Sequence, residues 1–156
     1  MARRVAWRVA RSLGGTGKDG LLGEVNASAP QRSKVSDGAI GDQAHNARTS
    51  DHNPCGCCGI VCARDFTNDP RGGFDAYAFA DWLAKRCAAG LEPRVKYIIS
   101  NRRIASGMGQ GHPAGRWRPY SGKNPHTKHT HVSVRHEHAD DAGPWSWCPR
   151  APEPAA

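Results

Sequence analysis

Three residue types capable of binding a divalent ion recur at informative places in this chain. His52 and Asp65 flank a Cys/Gly-rich insert, and His129-Thr130-His131 follows more than sixty residues later. Neutral imidazoles and a carboxylate suit zinc, and three protein ligands leave a fourth tetrahedral position open, as in a catalytic site. Zinc lowers the pKa of water bound to it to about 7 and polarises a scissile carbonyl. A histidine beside it titrates in the same range and can take up a proton and pass one to a leaving amine. An arginine nearby would stabilise a developing oxyanion. Together these parts make an amide hydrolase.

Such ligands need rigid supports. Thr130, Val132 and Val134 are β-branched and recur at period two, so the run from His129 to Val134 reads as a strand with His129 and His131 on one face. One can then bind a metal while the other faces substrate. The segment from Gly59 to Phe66 reads as a buried strand that ends in Asn68-Asp69-Pro70, which sets Asp65 near a strand end. A helix is expected from about Phe74 to Ala89, with Ala78, Phe79, Trp82, Leu83 and Cys87 as its apolar positions, Asp75 as cap and Gly90 with Pro93 as stop. A shorter helix is expected around Leu21, Leu22 and Val25, and a strand from Val95 to Ser100. The fold class is therefore α+β, a small antiparallel sheet with helices packed on one side. The Gly/Pro-rich stretch from Gly107 to Gly115 reads as a loop near the cleft, and residues 139–156 as a tail, partly disordered and partly packed through Trp145 and Trp147.

These residues carry a resemblance. Ser50-Asp51-His52, Ala63-Arg64-Asp65 and His129-Thr130-His131 resemble the Ser-x-His, Ala-x-Asp and His-x-His motifs of the D-Ala-D-Ala metallopeptidase-like group, which includes lysostaphin-type enzymes and the hedgehog fold. The runs from Gly41-Asp42 to Pro54, from Tyr97 to Ile104, and from Trp117-Arg118-Pro119-Tyr120 to Val134 are similar to phage endolysins of the M15 peptidase type. The similarity spans roughly residues 5 to 136 with the motifs in family order. It implies a catalytic domain over residues 1–138, with His52, Asp65 and His131 as zinc ligands and His129 as the active-site residue handling protons. It also implies that Arg48 contacts the substrate carbonyl, that Ser50, His126 and Tyr120 bind substrate, and that the substrate is bacterial peptidoglycan. Lys128 stands where some relatives place an acid, three residues before His131, and lysine is a poor base near neutral pH.

Plainer readings exist for the same residues. Asp65 could cap the turn after it, His126 could dress a loop, Lys128 reads as solvated, and His136 and His138 fall in a polar segment outside the ligand set. Of the six cysteines, Cys55, Cys57, Cys58 and Cys62 crowd into the insert while Cys87 and Cys148 lie apart. The four could form a structural metal site or a disulfide-stapled loop, though a zinc ribbon would need a second separated Cys-x-x-Cys; reduced thiols are the default for a protein made in the cytoplasm.

At 156 residues the chain suits one domain, with no repeat and no apolar stretch long enough to span a bilayer. The basic start from Met1 to Arg8 lacks the continuous apolar core of a secretory signal. The expectation is a monomer made in the host cytoplasm that acts on the wall after release. A net charge of +8 favours anionic partners such as cell-wall polymers, lipopolysaccharide or nucleic acid, and charge alone does not choose among them; no specific nucleic-acid partner is expected. Two other functions fit parts of the pattern. Asp51-His52-Asn53-Pro54 resembles part of an HNH nuclease motif, but no histidine follows before His112 to complete it. A hedgehog-like module would keep zinc without turnover.

Overall fold

The computed structural model describes residues 7–15, 19–41, 45, 48–56 and 58–148. Alternation in the run His129–Val134 does what period two requires: this strand, β7, turns Thr130, Val132 and Val134 toward the core and His129, His131 and Ser133 to the opposite face. It is an inner strand of a five-stranded antiparallel sheet in which it lies between β3 (Ala63–Thr67) and β4 (Val95–Ser100); β5 (Arg103–Ser106) and β6 (Trp117–Pro119) complete the order β3-β7-β4-β5-β6. Register sets Asp65 opposite His131, and His131 opposite Ile99.

Two α-helices are present among the described residues, giving an α+β architecture. In α1 (Gly20–Ser28), Leu21, Leu22 and Val25 are buried, as their spacing predicts. In α2 (Ala76–Ala88), the Asp75 carboxylate accepts hydrogen bonds from the Tyr77 and Ala78 N–H groups, and Gly90 after the helix takes a φ of +73°. Its buried face is Ala76, Phe79, Ala80, Leu83, Ala84 and Cys87; Ala78, expected inside, is exposed and Trp82 is half-buried. The helix lies over β4, β5 and β7. There Thr130 Oγ1 donates to the Ala76 carbonyl at 2.8 Å, so a buried hydroxyl on the core face of β7 fastens sheet to helix. α1 joins the same hydrophobic cluster.

One expectation needs correction. The run from Gly59 to Phe66 is not one strand: β2 (Ile60–Val61) pairs in parallel with β1 (Arg8–Val9) in a separate two-stranded ribbon, and β3 begins only at Ala63. Cys62 is the joint, its N–H donating to the Asp51 carbonyl and its carbonyl accepting from the Val134 N–H. An apolar run looks continuous whether or not its partners change, so composition could not reveal the switch. The packing expected of Trp145 and Trp147 is present in the stretch after residue 138. Trp145 is fully buried, its Nε1 donates to the Ser12 carbonyl at 2.8 Å and the Arg94 guanidinium lies 3.9 Å over its ring. Residues 149–156 lie outside the described residues, as do Met1 to Ala6, Asp42 and Cys57 of the sequence reading. No described helix is long and apolar enough to cross a membrane.

Candidate metal centre

Cross-strand pairing brings Asp65 to His131, and a loop brings His52 to both. The Ser50 hydroxyl accepts from the His52 N–H at 3.3 Å, and the His52 carbonyl accepts from the Gly41 N–H at 2.7 Å, so the imidazole projects from a fixed backbone. His52 Nε2 stands 3.0 Å from His131 Nδ1, His131 Nδ1 stands 3.1 Å from Asp65 Oδ1, and Asp65 Oδ1 stands 3.3 Å from His52 Nε2. Ligand atoms sharing a tetrahedral zinc at ordinary bond lengths are about 3.3 Å apart, so this near-equilateral triangle fits such an ion within a few tenths of an ångström. His52 and His131 are buried and Asp65 partly so.

The outer atoms of the rings decide what the inner ones can do. His52 Nδ1 lies 2.7 Å from the Ala39 carbonyl, which can only accept, so Nδ1 carries the proton and the neutral ring turns a lone pair inward. His131 Nε2 lies 2.8 Å from Ser133 Oγ; with the hydroxyl accepting, Nδ1 likewise presents a lone pair. Three acceptor atoms then converge on one point, which is the donor set a cation satisfies. Without an ion, one carboxylate must serve two imidazoles. Burial pulls the His52 pKa down, but the hydrogen bond and charge of Asp65 outweigh it and hold the ring above its ordinary value. At His131, burial wins over Asp65 and the pKa falls. Burial raises the Asp65 carboxyl, yet hydrogen bonds from His131 and His52 hold it well below the usual range.

The centre opens on a cleft of about 180 Å³ lined also by Arg48, Ser50, Tyr120, Lys123 and His126. Arg48, Ser50, Tyr120 and His126, all anticipated from sequence, are thus brought together with the three ligands. His126 is buried, with a φ of +53° that is unusual for a residue with a side chain. Its Nδ1 donates to the Asn124 carbonyl at 2.7 Å, and its ring meets Tyr120, His129 and His131 edge-on. Burial, with repulsion from His131 and His129, pushes its pKa down to about 4. His129 is placed differently. Its Nε2 lies 3.5 Å from Asp65 Oδ2, and neither ring nitrogen has a hydrogen-bond partner among the described residues. It lines a neighbouring cavity of about 380 Å³ with Asn124, Pro125 and Lys128 rather than the cleft itself. Lys128 is exposed, as expected.

Several contributors lay outside the sequence reading. Tyr97 stacks on His131 with centroids 5.4 Å apart and planes 9° from parallel, and Lys123 brings a second cation beside Arg48. Ser133 was within reach, since it follows His131 by two on a strand; Tyr97 depends on a register that only the sheet reveals. The loop from Gly107 to Gly115 borders, through Gln110, a separate cavity and not the cleft. The expectation of reduced thiols fails at Cys55 and Cys58, which are joined by a disulfide, whereas Cys62 and Cys87 are buried thiols. Compared with known proteins, the chain matches no family model, no curated protein and no solved structure.

Proposed function

We propose that the protein is a zinc-dependent peptidase of the phage-endolysin kind, with a hedgehog/DD-peptidase-like fold, that hydrolyses an amide bond in peptidoglycan stem peptides or cross-links. The observation that carries this reading is the convergence of His52 Nε2, Asp65 Oδ1 and His131 Nδ1, three motif residues distant in sequence, at the floor of an open cleft. When bound there, zinc supplies Lewis acidity and makes water nucleophilic near neutral pH. Arg48 and Lys123 offer positive charge to a peptide carboxylate or to a carbonyl oxygen gaining charge. In this reading His126, in the cleft, or His129, beside the outer oxygen of Asp65, takes and returns protons. Ser50 and Tyr120 shape the wall against which the peptide lies. The net charge of +8 favours approach to an anionic envelope, consistent with synthesis in the cytoplasm and action on the wall after release.

The test is digestion of purified peptidoglycan from several hosts by zinc-loaded protein, with mass spectrometry of the fragments. New amino termini are expected, lost with a chelator and restored by zinc, and their identity names the bond cut. Untouched walls together with His52-dependent nicking of plasmid DNA would replace the peptidase with a nuclease. Intact walls with neither activity, at full zinc content, would point to a zinc module without turnover.

A further inference from the structure

A second group of metal-binding side chains lies outside the cleft. The insert after His52 carries Cys55 and Cys58, and a 3-10 turn that follows β7, His136–His138, brings a histidine to them. His136 Nε2 is 2.9 Å from Cys58 Sγ and 3.5 Å from Cys55 Sγ. All three ligand atoms lie within 4.8 Å of one another. Sulfur and nitrogen ligands of one tetrahedral zinc stand about 3.5 Å apart, and a Cys-x-x-Cys pair with a histidine supplies three of the four ligands of a zinc site built from two cysteines and two histidines, or from three cysteines and one histidine.

We propose that Cys55, Cys58 and His136, with both thiols reduced, bind a second divalent ion of the zinc class, independent of the His52–Asp65–His131 centre and of the peptidase reading. The disulfide and the ion are alternative states of the pair. A dithiol reductant transfers two electrons and two protons to the Cys55–Cys58 bond, giving two thiols and the oxidised dithiol. The ion then displaces both thiol protons to solvent and accepts the His136 lone pair.

Topology favours the ion as the structural element. A disulfide between residues three apart closes a short loop and restrains little of the unfolded chain, whereas an ion shared with His136 joins positions 78 residues apart. Cys55 follows His52 by three residues and His136 follows His131 by five, so the clip would hold the two segments that deliver ligands to the first centre.

Cobalt distinguishes the two centres, because only thiolate ligation gives sulfur-to-cobalt charge-transfer absorption in the near ultraviolet, and the first centre has no sulfur. The full chain, reduced with a phosphine and titrated with Co²⁺ without oxygen, is expected to bind about two ions and to show this band. His131→Ala should lose one ion and keep the band. Cys58→Ser and His136→Ala should keep the first ion and weaken Co²⁺ binding at the band at least about tenfold. His136→Cys should restore the band, showing that the His136→Ala loss is one of ligation and not of folding. Absence of the band in wild-type protein whose thiols are shown to be reduced, or an unchanged titration in His136→Ala, overturns the proposal.

Discussion

Ser133 fixes the outer nitrogen of His131 and so governs an atom it never touches, the inward-facing Nδ1. Removing that partner while leaving all three ligands in place tests the centre: Ser133→Ala should weaken zinc binding by roughly 10- to 100-fold in competition with a chromophoric chelator, and Ser133→Thr, which keeps the hydroxyl, should retain most of it. His131→Ala should abolish stoichiometric zinc at this centre by metal analysis; zinc that survived there would break the ligand assignment. Two imidazoles, His129 and His126, are candidates for the proposed proton-handling role. His129→Ala and His126→Ala should each keep zinc, and the one that moves protons should lose at least about 10²-fold in turnover. Near-normal turnover in zinc-loaded His129→Ala would transfer the role to His126, the ring that lines the cleft. At this scale the sequence was most legible where chemistry restricts residue type, at His52, Asp65 and His131. It assigned no site role to Tyr97 or Lys123, whose types suit many other duties and whose positions come from cross-strand register and a loop.

Among the elements, the segment between α1 and the loop that carries His52 is pinned to β3 by one carboxylate. Asp37 receives two hydrogen bonds from the Arg32 guanidinium, at 2.9 and 2.7 Å, and one each from Thr67 N–H and Thr67 Oγ1, both at 2.8 Å. The Arg32 side chain is fully buried, so Asp37→Ala strands its charge and should cost about 3–5 kcal/mol in urea denaturation. Burial raises the Asp37 carboxyl, but Arg32 and Thr67 outweigh it and hold its pKa below the ordinary value. A depressed folded pKa gives stability that is present above the unfolded value of about 3.9 and lost as pH falls through the folded one. The urea midpoint of the wild type should therefore drop across that acid range, and that of Asp37→Asn should lack this part of the drop. Both helices were legible because their signals are local: Asp75 caps α2, Gly90 stops it, and leucines and valine mark the inner face of α1. The break at Cys62 was not, because what divides β2 from β3 is a pair of partners, β1 and β7, supplied from opposite ends of the chain.

Over the whole molecule, the first and last described stretches meet. Trp145 seats between Ser12, Glu24 and Arg94, tying the last described stretch to the first. Trp145→Ala should lose about 3–5 kcal/mol of folding stability by the same urea measurement, a loss that a loose tail would not show. What joins the core to the chemistry is β7, and its alternation has an evolutionary meaning. Thr130, Val132 and Val134 answer to folding, whereas His131 and Ser133 answer to the candidate metal centre and His129 to its surroundings, so adjacent positions meet different selection and can drift at different tempos. Point substitutions can explore one face without disturbing the other. An insertion or deletion of a single residue has no such freedom, since it would carry imidazoles into the core and aliphatic side chains to the candidate metal centre in one step.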